Sequence, residues 1–105
     1  MAQKRHIRVR VSDLRVEALQ DICTDILDTF KPTNDHQYLL REYMRELQHT
    51  LASMKRRPQG EYTLSLSGTE AVAFNQLWKM VDISHDKYAN VIVENMMKKI
   101  NSLAA

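Results

Sequence analysis

His6-Ile7-Arg8-Val9-Arg10-Val11-Ser12 alternates strictly between polar and apolar side chains, and the alternation returns in Tyr62-Thr63-Leu64-Ser65-Leu66-Ser67. A period of two marks an extended strand with one oily face and one wet face. The β-branched Ile7, Val9 and Val11 favour that conformation. Neither segment can stabilise its oily face alone. The economical solution pairs them antiparallel as a two-stranded ribbon, with helices packed under the apolar side.

The rest of the chain supplies those helices. Only two glycines and two prolines occur in 105 residues, leaving little room for irregular structure. Ser12 reads as the cap of a helix over 13–30, with Leu14, Ala18, Ile22, Ile26 and Phe30 on one stripe and Leu19, Cys23 and Leu27 beside it. Pro32 restricts Lys31 and sets the break there. Thr33, Asn34 and Asp35 can each cap a second helix, 35–54, whose apolar face is Leu40, Tyr43, Met44, Leu47, Leu51 and Met54. Lys55-Arg56-Arg57-Pro58-Gln59-Gly60 ends that helix and links it to the second strand. A third helix is predicted over 70–81, burying Val72 or Ala73, Phe74, Leu77, Trp78 and Val81. A fourth, capped by Ser84, runs to about 103 with Tyr88, Ile92, Val93, Met96, Ile100 and Leu103 on one side.

The order is strand, helix, helix, twice over, and the halves align as a repeat. A shift of 55 places Ile7, Val9 and Val11 on Tyr62, Leu64 and Leu66, and Ile22 on Leu77. A shift of 49 places His36 on His85 and Leu39, Tyr43, Leu47 and Leu51 on Tyr88, Ile92, Met96 and Ile100. The expectation is one domain, residues 1–105, mainly α with a short two-stranded antiparallel ribbon. It is built of two β-α-α units (about 5–54 and 61–104) in a pseudo-twofold arrangement, joined by a linker at 55–60. No apolar run approaches a membrane span and the basic N-terminus lacks the apolar core of a signal peptide. One cysteine cannot form an internal disulfide, which fits a reducing compartment, so a cytoplasmic location is expected.

Charge narrows the function. Residues 1–60 carry 11 Lys/Arg against 8 Asp/Glu, and residues 61–105 carry 4 against 5. Four of those basic residues fall within residues 4–10. A basic tip on a near-neutral body suits a polyanion. The wet face of the expected ribbon carries His6, Arg8, Arg10, Thr63 and Ser65. A two-stranded ribbon fits the major groove of B-form DNA, where arginine grips guanine and hydroxyls reach several base edges.

His6-Ile7-Arg8-Val9-Arg10-Val11-Ser12-Asp13-Leu14, with the helix-break-helix behind it, resembles the ribbon-helix-helix family of bacterial DNA-binding proteins. The chain looks like a fused pair of such units, as in some accessory proteins of plasmid conjugation. The resemblance implies that His6, Arg8, Arg10, Thr63 and Ser65 contact bases. It also implies phosphate contacts at the N-termini of the second and fourth helices, through Asn34, His36, Ser84 and His85, joined by Lys4 and Arg5 of the basic arm. The expected partner is double-stranded DNA and the expected role is transcriptional regulation or plasmid mobilisation. The resemblance further implies that the fused unit itself forms a homodimer. A helical protein–protein interaction module without DNA binding is the alternative.

Other features are weighed against these readings. Asp13, Glu17, Asp21 and Asp25 recur every four residues, with Asp28 continuing the row. It reads either as a solvated face or as a docking surface for a basic protein partner. Lys55-Arg56-Arg57 reads as a solubilising helix end, with contact to phosphate or to an acidic neighbour as the other option. The histidines (His6, His36, His49, His85) have no metal spacing, so no metal or other cofactor is expected. No phosphate loop, paired-carboxylate cleft or nucleophile motif is visible, and the chain is not expected to be an enzyme.

Overall fold

The computed structural model describes residues 7–104. β1 (Ile7–Ser12) runs directly into α1 (Asp13–Thr29), and α2 (Asp35–Met54) follows. β2 (Glu61–Leu66), α3 (Gly68–Met80) and α4 (Lys87–Ala104) repeat the order. The chain is therefore mainly helical with one two-stranded antiparallel sheet, in the expected β-α-α-β-α-α sequence. Ile7 pairs with Leu66, Val9 with Leu64 and Val11 with Tyr62, and all six side chains are buried. At the open end of the ribbon the Asp13 amide donates to the Gly60 carbonyl at 3.1 Å, which joins the linker to the start of α1.

Each half delivers its helices through local chemistry. The Ser12 side chain accepts from the Arg15 amide, and Asn34 Oδ1 accepts from the Gln37 amide at 2.9 Å. Ser67 closes a reciprocal cap: Glu70 N–H donates to Ser67 Oγ at 3.1 Å while Ser67 N–H donates to Glu70 Oε1 at 2.9 Å. Three caps satisfy amides that a helix start otherwise leaves without partners. One hydrophobic core then draws on all six elements, from Val9 and Leu64 of the ribbon to Leu19, Leu51, Phe74 and Ile100 of the helices. Phe74 and Trp78 meet edge to face, with ring centroids 5.8 Å apart. Among the described residues no helix is long and apolar enough to cross a membrane.

Several sequence expectations need correction. Leu14 is exposed, and Val16, Leu19, Ile22, Cys23 and Ile26 form the buried arc of α1. A row of i, i+4 steps drifts about 40° per step around a helix, which carries Leu14 off the arc that faces the core. Ala89 takes the inward place expected of Tyr88, and Tyr88 and Leu103 are exposed; of the alternatives Val72 and Ala73, Ala73 packs against the core and Val72 is exposed. The third helix begins at Gly68, two residues before the expected Glu70, because the Ser67 cap sets it.

Ser84 does not cap the fourth helix. Asp86 does: its Oδ1 accepts from the Ala89 amide at 3.0 Å, and its carbonyl takes the first helical bond, from the Asn90 amide. Ile83 is buried, and the Asp86 amide donates to the Ile83 carbonyl, so a turn occupies 83–86. Asp86→Ala should lower the unfolding free energy by about 1 kcal/mol, and Ser84→Ala by less than about half of that. Urea denaturation of the two variants checks this, and the reverse order would return the cap to Ser84.

Candidate nucleic-acid interface

The alternation that buries one ribbon face defines the other. Arg8 stands opposite Ser65 and Arg10 opposite Thr63 in the antiparallel register, and all four side chains are exposed. Four of the five expected base-contacting residues are thus neighbours on one surface. The fifth, His6, lies outside the described residues, as do Lys4 and Arg5. Six paired residues at about 3.4 Å each give a ribbon roughly 20 Å long, and two strands are narrow enough for a major groove about 12 Å wide.

Arg10 is held across the ribbon. Its Nε lies 3.0 Å from Glu61 Oε1, on the strand opposite. The Arg10 side chain stays 76% exposed, so the pair is wet and orients the guanidinium more than it stabilises the fold. With Nε occupied, the terminal nitrogens remain as donors for a planar acceptor pair such as guanine O6 and N7.

Further cations border the ribbon on both edges. Along β1, an open cleft is lined by Arg8, Val9 and Arg10 together with Lys98, Lys99 and Ser102 from the last turns of α4. Along β2, Arg56 and Arg57 of the linker share a shallow cleft with Tyr62 and Thr63. Lys98 and Lys99 escaped the sequence reading. Nothing in their local sequence says that α4 ends beside β1; only the three-dimensional closure of the chain brings them there. Arg56 and Arg57, read as a solubilising helix end, flank the outer face.

The expected phosphate sites lie elsewhere. Asn34 and His36 share a shallow surface with Gln76 and Lys79, at the N-terminus of α2 and the end of α3. Thr50 of α2 lies beside Ser65, so a rise of about 1.5 Å per residue puts Asn34 roughly 24 Å along the helix from that point. In the second half, protein carboxylates already take two of the amides around the start of α4. Asp82 Oδ1 accepts from the Ser84 amide at 2.9 Å, and Asp86 accepts from Ala89. Hydrogen bonds from Ser84, with a smaller pull from His85, hold the Asp82 carboxyl below the usual range, so it stays anionic. An arriving phosphate at Ser84 and His85 would meet that charge.

The acidic row on α1 is partly neutralised. Lys55 Nζ lies 3.6 Å from Asp13 Oδ1 and 3.5 Å from Glu17 Oε2. Desolvation acts against the ammonium, but Asp13 and then Glu17 outweigh it and hold Lys55 above its ordinary value. Asp21, Asp25 and Asp28 continue the row as exposed carboxylates. Among the described residues, no group of three or more His, Cys, Asp or Glu side chains is arranged to hold a metal ion.

No family model, curated protein or solved structure matches this chain.

Cys23 is buried on the core side of α1, and desolvation pushes its thiol up to about 12. A thiol there is protonated at neutral pH and has no nucleophilic role. At pH 8, Ellman's reagent should label the native protein far more slowly than the guanidinium-unfolded chain. Equal rates would mean that Cys23 is accessible.

Proposed function

We propose that the chain is a double-stranded-DNA-binding protein that lays its two-stranded ribbon in the major groove. In this reading it is a fused ribbon-helix-helix module, acting in transcriptional regulation or plasmid mobilisation. The observation that carries the reading is the register: Arg8 beside Ser65 and Arg10 beside Thr63, all exposed on the outer face of a ribbon whose other face is core. Arg8 and Arg10 grip guanine edges, with Glu61 steering Arg10. Thr63 and Ser65, as both donors and acceptors, reach bases of either kind. Lys98 and Lys99 on one edge and Arg56 and Arg57 on the other neutralise the phosphates that line the groove.

The ribbon has a built-in direction. Both arginines come from β1, while β2 offers hydroxyls and the Glu61 carboxylate. Two identical chains would present the same side chains twice and read a palindrome. One fused chain reads two different half-sites, so the preferred DNA is asymmetric, with its guanines under β1.

The test is a fluorescence-anisotropy titration against labelled duplex at low and at physiological salt. Binding should weaken steeply with salt, and selection from a randomised duplex should return a non-palindromic site. Arg8→Ala with Arg10→Ala should abolish preference for that site while leaving the thermal midpoint within a few degrees, since both side chains are exposed. Lys98→Gln with Lys99→Gln should weaken all sequences alike and reduce the salt slope by about 2. Absence of binding at low salt overturns the reading, because non-specific phosphate contact is strongest there.

A further inference from the structure

On the flank formed by α2 and α3, an apolar groove of about 540 Å³ runs between the helices. Leu40 and Ala73 lie in its floor, and Leu39 and Val72 stand at its lips, 68% and 57% exposed. From His36 to Glu46 the groove follows α2 for about 15 Å, roughly three helical turns. That length matches the three or four anchors, at i, i+3 or i+4, and i+7, by which an amphipathic helix seats in a groove.

The rim gives the sign of the occupant. Glu42, Glu46 and Glu70 border the groove and no lysine or arginine does. Glu42 is shared with Arg45 at 3.5 Å and Arg41 at 4.0 Å and Glu70 is held by the Ser67 amide, whereas Glu46 has no cation within 4 Å among the described residues. Tyr43 also lines the groove, 9% exposed, and its buried hydroxyl has no hydrogen-bond partner among the described residues. The two α2 carboxylates of the rim have no counterparts in the second unit. The repeat-related positions of Glu42 and Glu46 on α4 are Val91 and Asn95.

We propose that this groove docks a basic amphipathic helix of a second protein, with apolar side chains set against Leu39 and Val72 and lysines or arginines against Glu42 and Glu46. DNA is excluded from this face by charge. Two copies meeting through the same face would bring two acidic rims together. The surface adjoins the β2 edge of the ribbon, where Glu46 and Glu70 line one small cavity with Ser65, but it shares no side chain with the proposed DNA face and does not rest on the DNA reading. If both hold, the module ties a basic protein segment to a DNA site.

The probe is a fluorescein-labelled 18-residue helix with leucines on one stripe and lysines elsewhere, compared with the same peptide carrying glutamates for the lysines. The full-length protein should bind the lysine peptide at one site and leave the glutamate peptide free. Leu39→Asp and Val72→Asp, both at exposed positions that the fold tolerates, should each weaken binding by at least about tenfold. Glu46→Gln should weaken it severalfold, and Asp21→Asn with Asp25→Asn should leave it unchanged, with circular dichroism confirming that each variant is folded. The proposal is overturned if the two peptides bind equally. It is also overturned if the groove substitutions have no effect, or if the Asp21/Asp25 variant loses the peptide instead. A dimer in sedimentation that Leu39→Asp converts to monomer would give the groove to a second copy and overturn it as well.

Discussion

The antiparallel pairing of β1 with β2 is the constraint on which the rest depends. Ile7 and Leu66 are partners across a chain segment that contains two complete helices. Closing such a loop costs entropy that the ladder's hydrogen bonds alone do not offset. What offsets it is burial: six apolar side chains enter one core with those of four helices. A two-stranded ribbon also has two open edges, each a template for aggregation. The last turns of α4 lie along β1, and at β2 the Glu46–Thr50 segment of α2 lines a small cavity with Leu64, Ser65 and Leu66. The interaction that ties the halves together is the same one that turns Arg8 and Arg10 outward, so the exposed basic face is a by-product of making the core.

That coupling creates an electrostatic difficulty which Lys55 resolves. β1 runs into α1 without a linker, so the first turn of α1 adjoins the ribbon. A carboxylate in the first turn is favoured by the helix dipole, and Asp13 occupies it. Left alone, Asp13 and Glu17 would place negative charge beside a surface proposed to meet phosphate. Lys55, at the other end of the α1–α2 hairpin, lies within 3.6 Å of Asp13 and 3.5 Å of Glu17. Asp21, Asp25 and Asp28 follow further along the helix, progressively farther from the ribbon. The charge separation between ribbon and body thus follows from the direction of α1.

How much of this was legible in the sequence depends on whether the signal was local. The strands were, because alternation with period two specifies both the element and the face of Arg8, Arg10, Thr63 and Ser65. The Ser12 cap was, because a short polar side chain before an amphipathic run has few other uses; at the second helix Thr33, Asn34 and Asp35 were equally good, and the structure selects Asn34. The fourth helix was misjudged because Ser84 and Asp86 are both good caps, and burial of Ile83, a tertiary fact, decides between them. The α1 stripe was misjudged for a similar reason: Leu14 and Val16 are equally apolar, and only the position of the core selects Val16. Lys98 and Lys99 were out of reach, since their place beside β1 depends on how α4 packs across the whole molecule.

Fusion changes what the two halves can be. In a homodimer each side chain occurs twice, so a substitution that helps one half-site acts on the other as well. In one chain the halves are free to differ, and here they do. β1 carries the arginines and β2 the hydroxyls; the α2–α3 flank carries Glu42 and Glu46 where α4 has Val91 and Asn95. The shared requirement is confined to the six inward ribbon residues and the helix arcs beneath them, which must fit one core. Outside that requirement, a surface proposed for a directional DNA site and a surface proposed for a basic helix can occupy the same 105 residues. They lie on different elements, carry opposite charge, and share no side chain.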